Sequence, residues 1–151
     1  MSVDYYFNIN IIQRGISKFT AKDVIKCYLN AGWTLYSERN QVIYTGIGDS
    51  EEFDFLADFI SETEFFDIVQ RKEQNEEIIA FALFRIEENC RYRIDVMIAS
   101  ELEILISPDD ATKKLLIPDL KVLDVNWYLC RILPPLINDN ILVESFSYAQ
   151  I

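Results

Sequence analysis

The chain begins with strict alternation. In VDYYFNINI, residues 3–11, Val3, Tyr5, Phe7, Ile9 and Ile11 share one side while Asp4, Asn8 and Asn10 share the other. That period of two predicts a strand with one solvated face. Residues 21–31 change period. Val24, Ile25, Tyr28 and Leu29 recur at helical spacing, with Thr20 and Asp23 placed as a capping box and Gly32 as a left-handed stop. WTLYS at 33–37 and QVIYT at 41–45 are rich in aromatic and β-branched residues around the polar connection 38–40, and predict a hairpin.

A second helix is expected from a cap at Asp49 or Ser50 to about Thr63, with Phe53, Leu56, Phe59 and Ile60 turned inward. FFDIVQR, IIAFALFRI, RYRIDVMIA and ELEILIS, beginning at residues 65, 78, 91 and 101, then predict four strands in a meander. The second of these is apolar on both faces and belongs inside a sheet. In the third, Arg91, Arg93, Asp95 and Met97 define a mostly charged face. Pro108 to Lys114 reads as a loop. LKVLDVNWYLCRIL forms a helix from near Asp119 to the stop at Pro134 and Pro135, and ILVESFSY closes as a strand. The pattern predicts a single α+β domain over residues 1–151, a mainly antiparallel sheet with about three helices packed on it.

Composition narrows the chemistry. A chain of 151 residues, half of them hydrophobic, can bury a self-sufficient core. The absence of histidine removes the usual general base, the triads built on it and most catalytic zinc sites. No Ser-x-x-Lys pair replaces them. Cys27, Cys90 and Cys130 are odd in number and widely spaced, which predicts buried free thiols rather than a disulfide framework or a zinc site. The first residues lack a secretory signal pattern and the longest apolar run is too short to span a bilayer, so a cytoplasmic location is expected. A net charge of −11 argues against nucleic acid and anionic membranes as partners.

That charge is concentrated. GDSEEFDFLADFISETEFFDIV, residues 48–69, holds eight carboxylates and no lysine or arginine, leaving a net charge of −3 for the rest. On the expected helix Glu51, Asp54, Asp58 and Glu62 form one stripe, extended by Glu64 and Asp67. Its like-charge pairs would cost only ~0.4–1 kcal/mol together, so a solvated face with no partner is an equally economical account. Two narrower chemistries lie in the same stretch. TGIGDSEE at 45–52 imitates a glycine-rich phosphate loop, but Glu51 stands where a third glycine belongs, which favours turn geometry. Asp54 and Asp58, four apart on a helix, could hold a hard cation, although no calcium-loop spacing supports them.

A small, acidic chain without a catalytic motif and with the charge of GDSEEFDFLADFISETE resembles the immunity proteins of bacterial toxin systems, such as contact-dependent growth inhibition and polymorphic toxins. The resemblance is one of overall profile, without a defining motif. It implies a cytoplasmic protein without cofactor or catalytic metal, monomeric by preference. Such a protein binds and neutralises a basic toxin domain; the resemblance carries over no site residue, and it is the acidic stripe of this chain that offers Glu51, Asp54, Asp58, Glu62, Glu64 and Asp67 as the binding residues. Tyr5, Tyr6, Tyr36 and Tyr44 are further anchors if they stand at the rim. Secretion chaperones are similar in size and charge and supply an alternative in which an effector client is bound. A carboxylate and metal-dependent hydrolase is a third.

Overall fold

The computed structural model describes residues 4–15 and 18–150. Val3, the first residue of the predicted opening strand, lies outside them. Strand β1, Tyr5–Gln13, keeps the predicted alternation, with Tyr5, Phe7, Ile9 and Ile11 buried. Helix α1, Ala21–Asn30, starts at the predicted capping box: the Thr20 hydroxyl accepts from the Asp23 amide, and the Asp23 carboxylate accepts from the Thr20 amide. Gly32 follows it at φ +100°, and a Cβ there would stand 3.1 Å from the Arg85 guanidinium.

The hairpin is partly realised. Val42–Thr45 is β2, but residues 33–37 make only isolated bridges, Thr34 to Phe84 and Tyr36 to Val42. Leu35 and Trp33 leave strand geometry to enter the core.

The largest departure follows. Phe55–Asp58 is a strand, β3, and the helix α2 covers Glu62–Gln74, so both the helix expected to end near Thr63 and the strand expected at 65–71 are corrected. The Asp49 carboxylate captures the amides of Glu52, Phe53 and Asp54 and folds them into a loop, and Phe53 at φ +53° breaks any helical continuation. The helix starts instead at Ser61, whose hydroxyl accepts from the Glu64 amide while the Glu64 carboxylate accepts from the Ser61 amide. From there Phe65, Phe66, Val69 and Lys72 recur on one buried face. Burying Phe65 contributes roughly 2–3 kcal/mol.

Ile79–Glu87 (β4), Cys90–Ile98 (β5) and Glu103–Pro108 (β6) form a meander of three of the four expected strands. A short ribbon of Leu115–Ile117 (β7) and Val122–Leu123 (β8) occupies the region predicted to begin the last helix. That helix, α3, is Val125–Ile132, capped by Asp124 rather than starting near Asp119, because Pro118–Leu120 closes a 3-10 turn on Lys121 at φ +52°. Ile141–Gln150 is β9.

The main sheet has the order β3-β2-β4-β5-β6-β1-β9, and its pairings are antiparallel. The buried faces of α1, α2 and α3 share one core with the inward residues of these strands. Phe65 of α2 meets Phe81 of β4 edge-on at 5.6 Å, and Tyr128 of α3 lies 5.8 Å from Phe7 of β1. The opposite sheet face carries Asn8, Asn10, Arg93, Asp95 and Met97, all half-buried. The fold class is therefore α+β, as the hydrophobic pattern requires. Among the described residues, no helix is long and apolar enough to cross a membrane.

At one end of β4 a single carboxylate joins three elements. Glu87 receives Arg131 of α3 in a bidentate pair at 2.6 and 2.8 Å, and Arg85 as well. Arg131 also donates to the Trp127 carbonyl and Arg85 to the Ala31 carbonyl, each at 2.9 Å. The Arg131 hydrogen bonds, aided by Arg85, outweigh burial and hold the Glu87 carboxyl down at about 2 against an ordinary 4.5. A depressed carboxyl stabilises the fold above its unfolded value and loses that contribution as pH falls. Glu87→Gln is expected to cost about 1 kcal/mol at neutral pH, a charged hydrogen bond discounted for partial exposure, and to flatten the acid limb between pH 4.5 and 2. Urea unfolding across that window checks both effects.

Candidate functional site at the acidic sheet edge

The loop joining β2 to β3 is organised around a buried ammonium. Lys72 of α2, 1% exposed, donates to the Gly46 carbonyl at 2.6 Å and the Asp49 carbonyl at 2.7 Å, and pairs with Glu77 at 3.3 Å. Glu77 also accepts from the Gly48 amide at 2.6 Å, and the Ser50 hydroxyl accepts from Ile78 N–H at 2.6 Å. Gly48 sits at φ +91°, where a side chain would be strained. Burial raises the Asp49 carboxyl, but the amides of Asp54, Phe53 and Glu52 and the charge of Lys72 together hold it below its ordinary value.

This geometry decides the glycine-rich motif. Gly46 and Asp49 turn carbonyls toward a cation, and the Gly48 amide is already taken by a carboxylate. The amides that do converge, those of Glu52, Phe53 and Asp54, close on the loop's own Asp49 carboxylate, so the donors a phosphate would need are already taken by acids of the chain.

The carboxylates predicted to form one helical stripe are distributed over three structural settings. Glu51 and Asp54 are exposed on the loop and line a shallow depression with Ile47, Glu52 and Leu56. Asp58 ends β3, where its carboxylate accepts from the Tyr44 hydroxyl at 2.7 Å. Burial first, then that bond and the charges of Asp58 and Glu64, pushes Tyr44 up to about 12. Glu62 and Glu64 occupy the first turn of α2, the end of the dipole that favours acids, and Arg71 and Lys72 occupy the last. Glu62 and Asp67 border a depression shared with Lys22 and Lys26, whose ammonium groups stand 5.3 and 5.9 Å from the Phe66 ring. Among the described residues, no lysine or arginine nitrogen comes within 4 Å of these six carboxylates.

The apolar residues of the stretch behave differently from the expectation. Phe59 is 76% exposed, Leu56 44% and Phe55 38%, with Ile47 beside them at 47%. Phe53 and Ile60 are half-buried. A strand at the sheet edge has no layer beyond it to receive these side chains. The alternation of Phe53, Asp54, Phe55 and Leu56 to Phe59 was the signal for extended structure, and S61-E62-T63-E64 the signal for the helix start. Of the tyrosines considered as anchors, Tyr5 and Tyr44 are buried and Tyr6 and Tyr36 half-buried.

Register fixes which way β3 faces. Val42 pairs with Asp58 and Tyr44 with Leu56, placing Leu56 and Asp58 on the helix side. Phe55 and Ala57 lie on the other side, where the Arg93 guanidinium stands 5.9 Å from the Phe55 ring and binds Asp95 at 2.8 Å.

Asp54 and Asp58 therefore do not share a helix face, which removes the geometric premise of a cation site there. Among the described residues, no group of three or more Cys, Asp or Glu is placed to hold a metal ion. The thiols also depart from expectation: Cys27 is half-buried, while Cys90 and Cys130 are exposed. Comparison with protein-family models, curated protein sequences and solved structures gives no match.

Because Lys72 is buried, its removal takes the cationic partner from Glu77, leaving it the Gly48 amide and the Asn75 side chain, and takes the donor from two carbonyls. Lys72→Met is expected to lower the unfolding free energy by about 3 kcal/mol and to speed amide exchange in residues 47–54. Denaturant unfolding and hydrogen exchange measure the two effects.

Proposed function

We propose that this chain is a non-enzymatic immunity-type protein that binds and neutralises a basic toxin domain, a nuclease being the class its charge suits best. The observation that carries the proposal is the composition of the sheet edge. Carboxylates without an ion-pair partner, Glu51, Asp54 and Asp58, alternate there with exposed Phe55, Leu56 and Phe59. Charge supplies attraction at a distance and exposed aromatic surface supplies short-range contact, the division of labour found in fast, tight protein complexes. A nucleic-acid groove presents clustered lysine and arginine, and an acidic edge seated in it would exclude the phosphate backbone by occupying the same charges.

Within this surface Glu51, Asp54 and Asp58 would make the direct electrostatic contacts. Glu62, Glu64 and Asp67 add to the field from the flank of α2, with the neighbouring Lys22 and Lys26 reducing the contribution of Glu62 and Asp67. Phe59 would be the principal apolar anchor.

The test looks for a basic toxin domain in the neighbouring reading frame and follows its association with this chain by stopped flow at several salt concentrations. The parent protein is expected to associate with strong salt dependence, and Asp54→Lys with Asp58→Lys to slow association about tenfold at low salt. Phe59→Ala should accelerate dissociation while leaving unfolding unchanged, since the ring is 76% exposed. Identical association kinetics for the charge-reversed protein would remove this edge from the mechanism.

A further inference from the structure

Resting on the function just proposed, we infer the form of the contact: the partner adds a basic β-strand to the free edge of β3, extending the sheet beyond its seventh strand. β3 pairs with β2 along one side, and its other side meets no strand among the described residues. All four of its residues are exposed. Natural sheets guard such an edge with lysine, proline, a bulge, a short strand or an inward-pointing charge, because its unpaired amides and carbonyls template another chain; β3 has only the last two, its four-residue length and Asp58, and Asp58 is a guard that a basic strand would satisfy. Residues 54–59, DFLADF, contain no lysine or proline, and the β2–β3 register runs without a shift.

The other edge is different. β9 is longer, but its pairing with β1 shifts register between Asn10 and Ile11, leaving Glu144 as an extra, unpaired residue in the middle of the strand. A bulge there twists the strand and interrupts the template. The two edges are therefore not equivalent, and β3 is the one left open.

Charge selects the occupant. Residues 47–59 carry Asp49, Glu51, Glu52, Asp54 and Asp58 with no base, so a second copy would set two such segments against each other. A strand bearing lysine or arginine meets no such penalty and gains opposite-charge pairs across the ladder. The register makes the partner two-sided. Asp58 on the helix side calls for bases, whereas on the other side Arg93 already lies beside Phe55, so apolar or aromatic side chains fit there. Main-chain hydrogen bonds then provide affinity and alternate side chains provide choice, as in strand addition generally.

The probe is an eight-residue peptide alternating lysine and valine, titrated into the isotope-labelled full chain. Expected are shifts centred on residues 42–59 and amide exchange at 55–58 slowed about tenfold at saturation. Asp54→Asn with Asp58→Asn should weaken binding about fivefold, and methylating the valine nitrogens along one edge should abolish it. An equally tight methylated peptide, protection at β9 instead, or no binding by the lysine peptide would each overturn strand addition at β3. The same exchange measurement on the toxin domain complex separates this inference from the proposal it rests on. A complex that depends on Asp54 and Asp58 yet leaves the amides of 55–58 unprotected retains the inhibitor function and refutes the strand pairing.

Discussion

The acidic edge exists because one ammonium is buried behind it. Lys72 sits on the inner face of α2, and its donors are spent on two loop carbonyls and the Glu77 carboxylate. A lone charge in that position would be expensive, but a fully bonded one locks the elements it touches into one arrangement. It fixes α2 against the loop, the loop sets where β3 begins, and β3 carries the exposed side chains. The same cation lies behind a segment with no cation of its own, so the negative field is left to act outward.

A consequence is that attraction and architecture use different acids in the same stretch. Asp49 and Glu64 are consumed locally, one collecting loop amides and the other closing a capping box. Asp58 is shared between the Tyr44 hydroxyl and solvent. Glu51 and Asp54 have no comparable duty. An equal count of carboxylates along a single helix would have offered a straighter stripe but no apolar surface beside it, since the phenylalanines would have been needed to hold the helix down. As an edge strand, the segment exposes both kinds of surface together, which suits recognition better than repulsion-limited charge alone.

The mostly antiparallel α+β arrangement, the first helix with its capping box, the interior position of β4 and the alternation of β1 and β5 were all legible in the residue pattern. The helix, β1 and β5 each bury one face, which leaves its period in the sequence, while β4 buries both and leaves an unbroken apolar run. The second helix, at Glu62–Gln74, is the exception. FDFLADFI, residues 53–60, satisfies a helical spacing of Phe53, Leu56, Phe59 and Ile60 almost as well as it satisfies a period of two. Short apolar runs do not choose between these by periodicity, and Asp49 or Ser50 satisfies the local preference for a cap as well as Ser61, where the SETE box marks the true helix start.

By itself the sequence determined what this protein carries: a base-free run of eight acids, no histidine, and enough apolar residues for one α+β core. Only the tertiary structure decided where that charge stands and what stands next to it. The deciding contacts, Lys72 with Gly46 and Asp49 and the pairing of Val42 with Asp58, join residues 16 to 26 positions apart. Local propensity is blind to contacts of that range, because a strand's existence depends on whether a neighbour offers it a ladder.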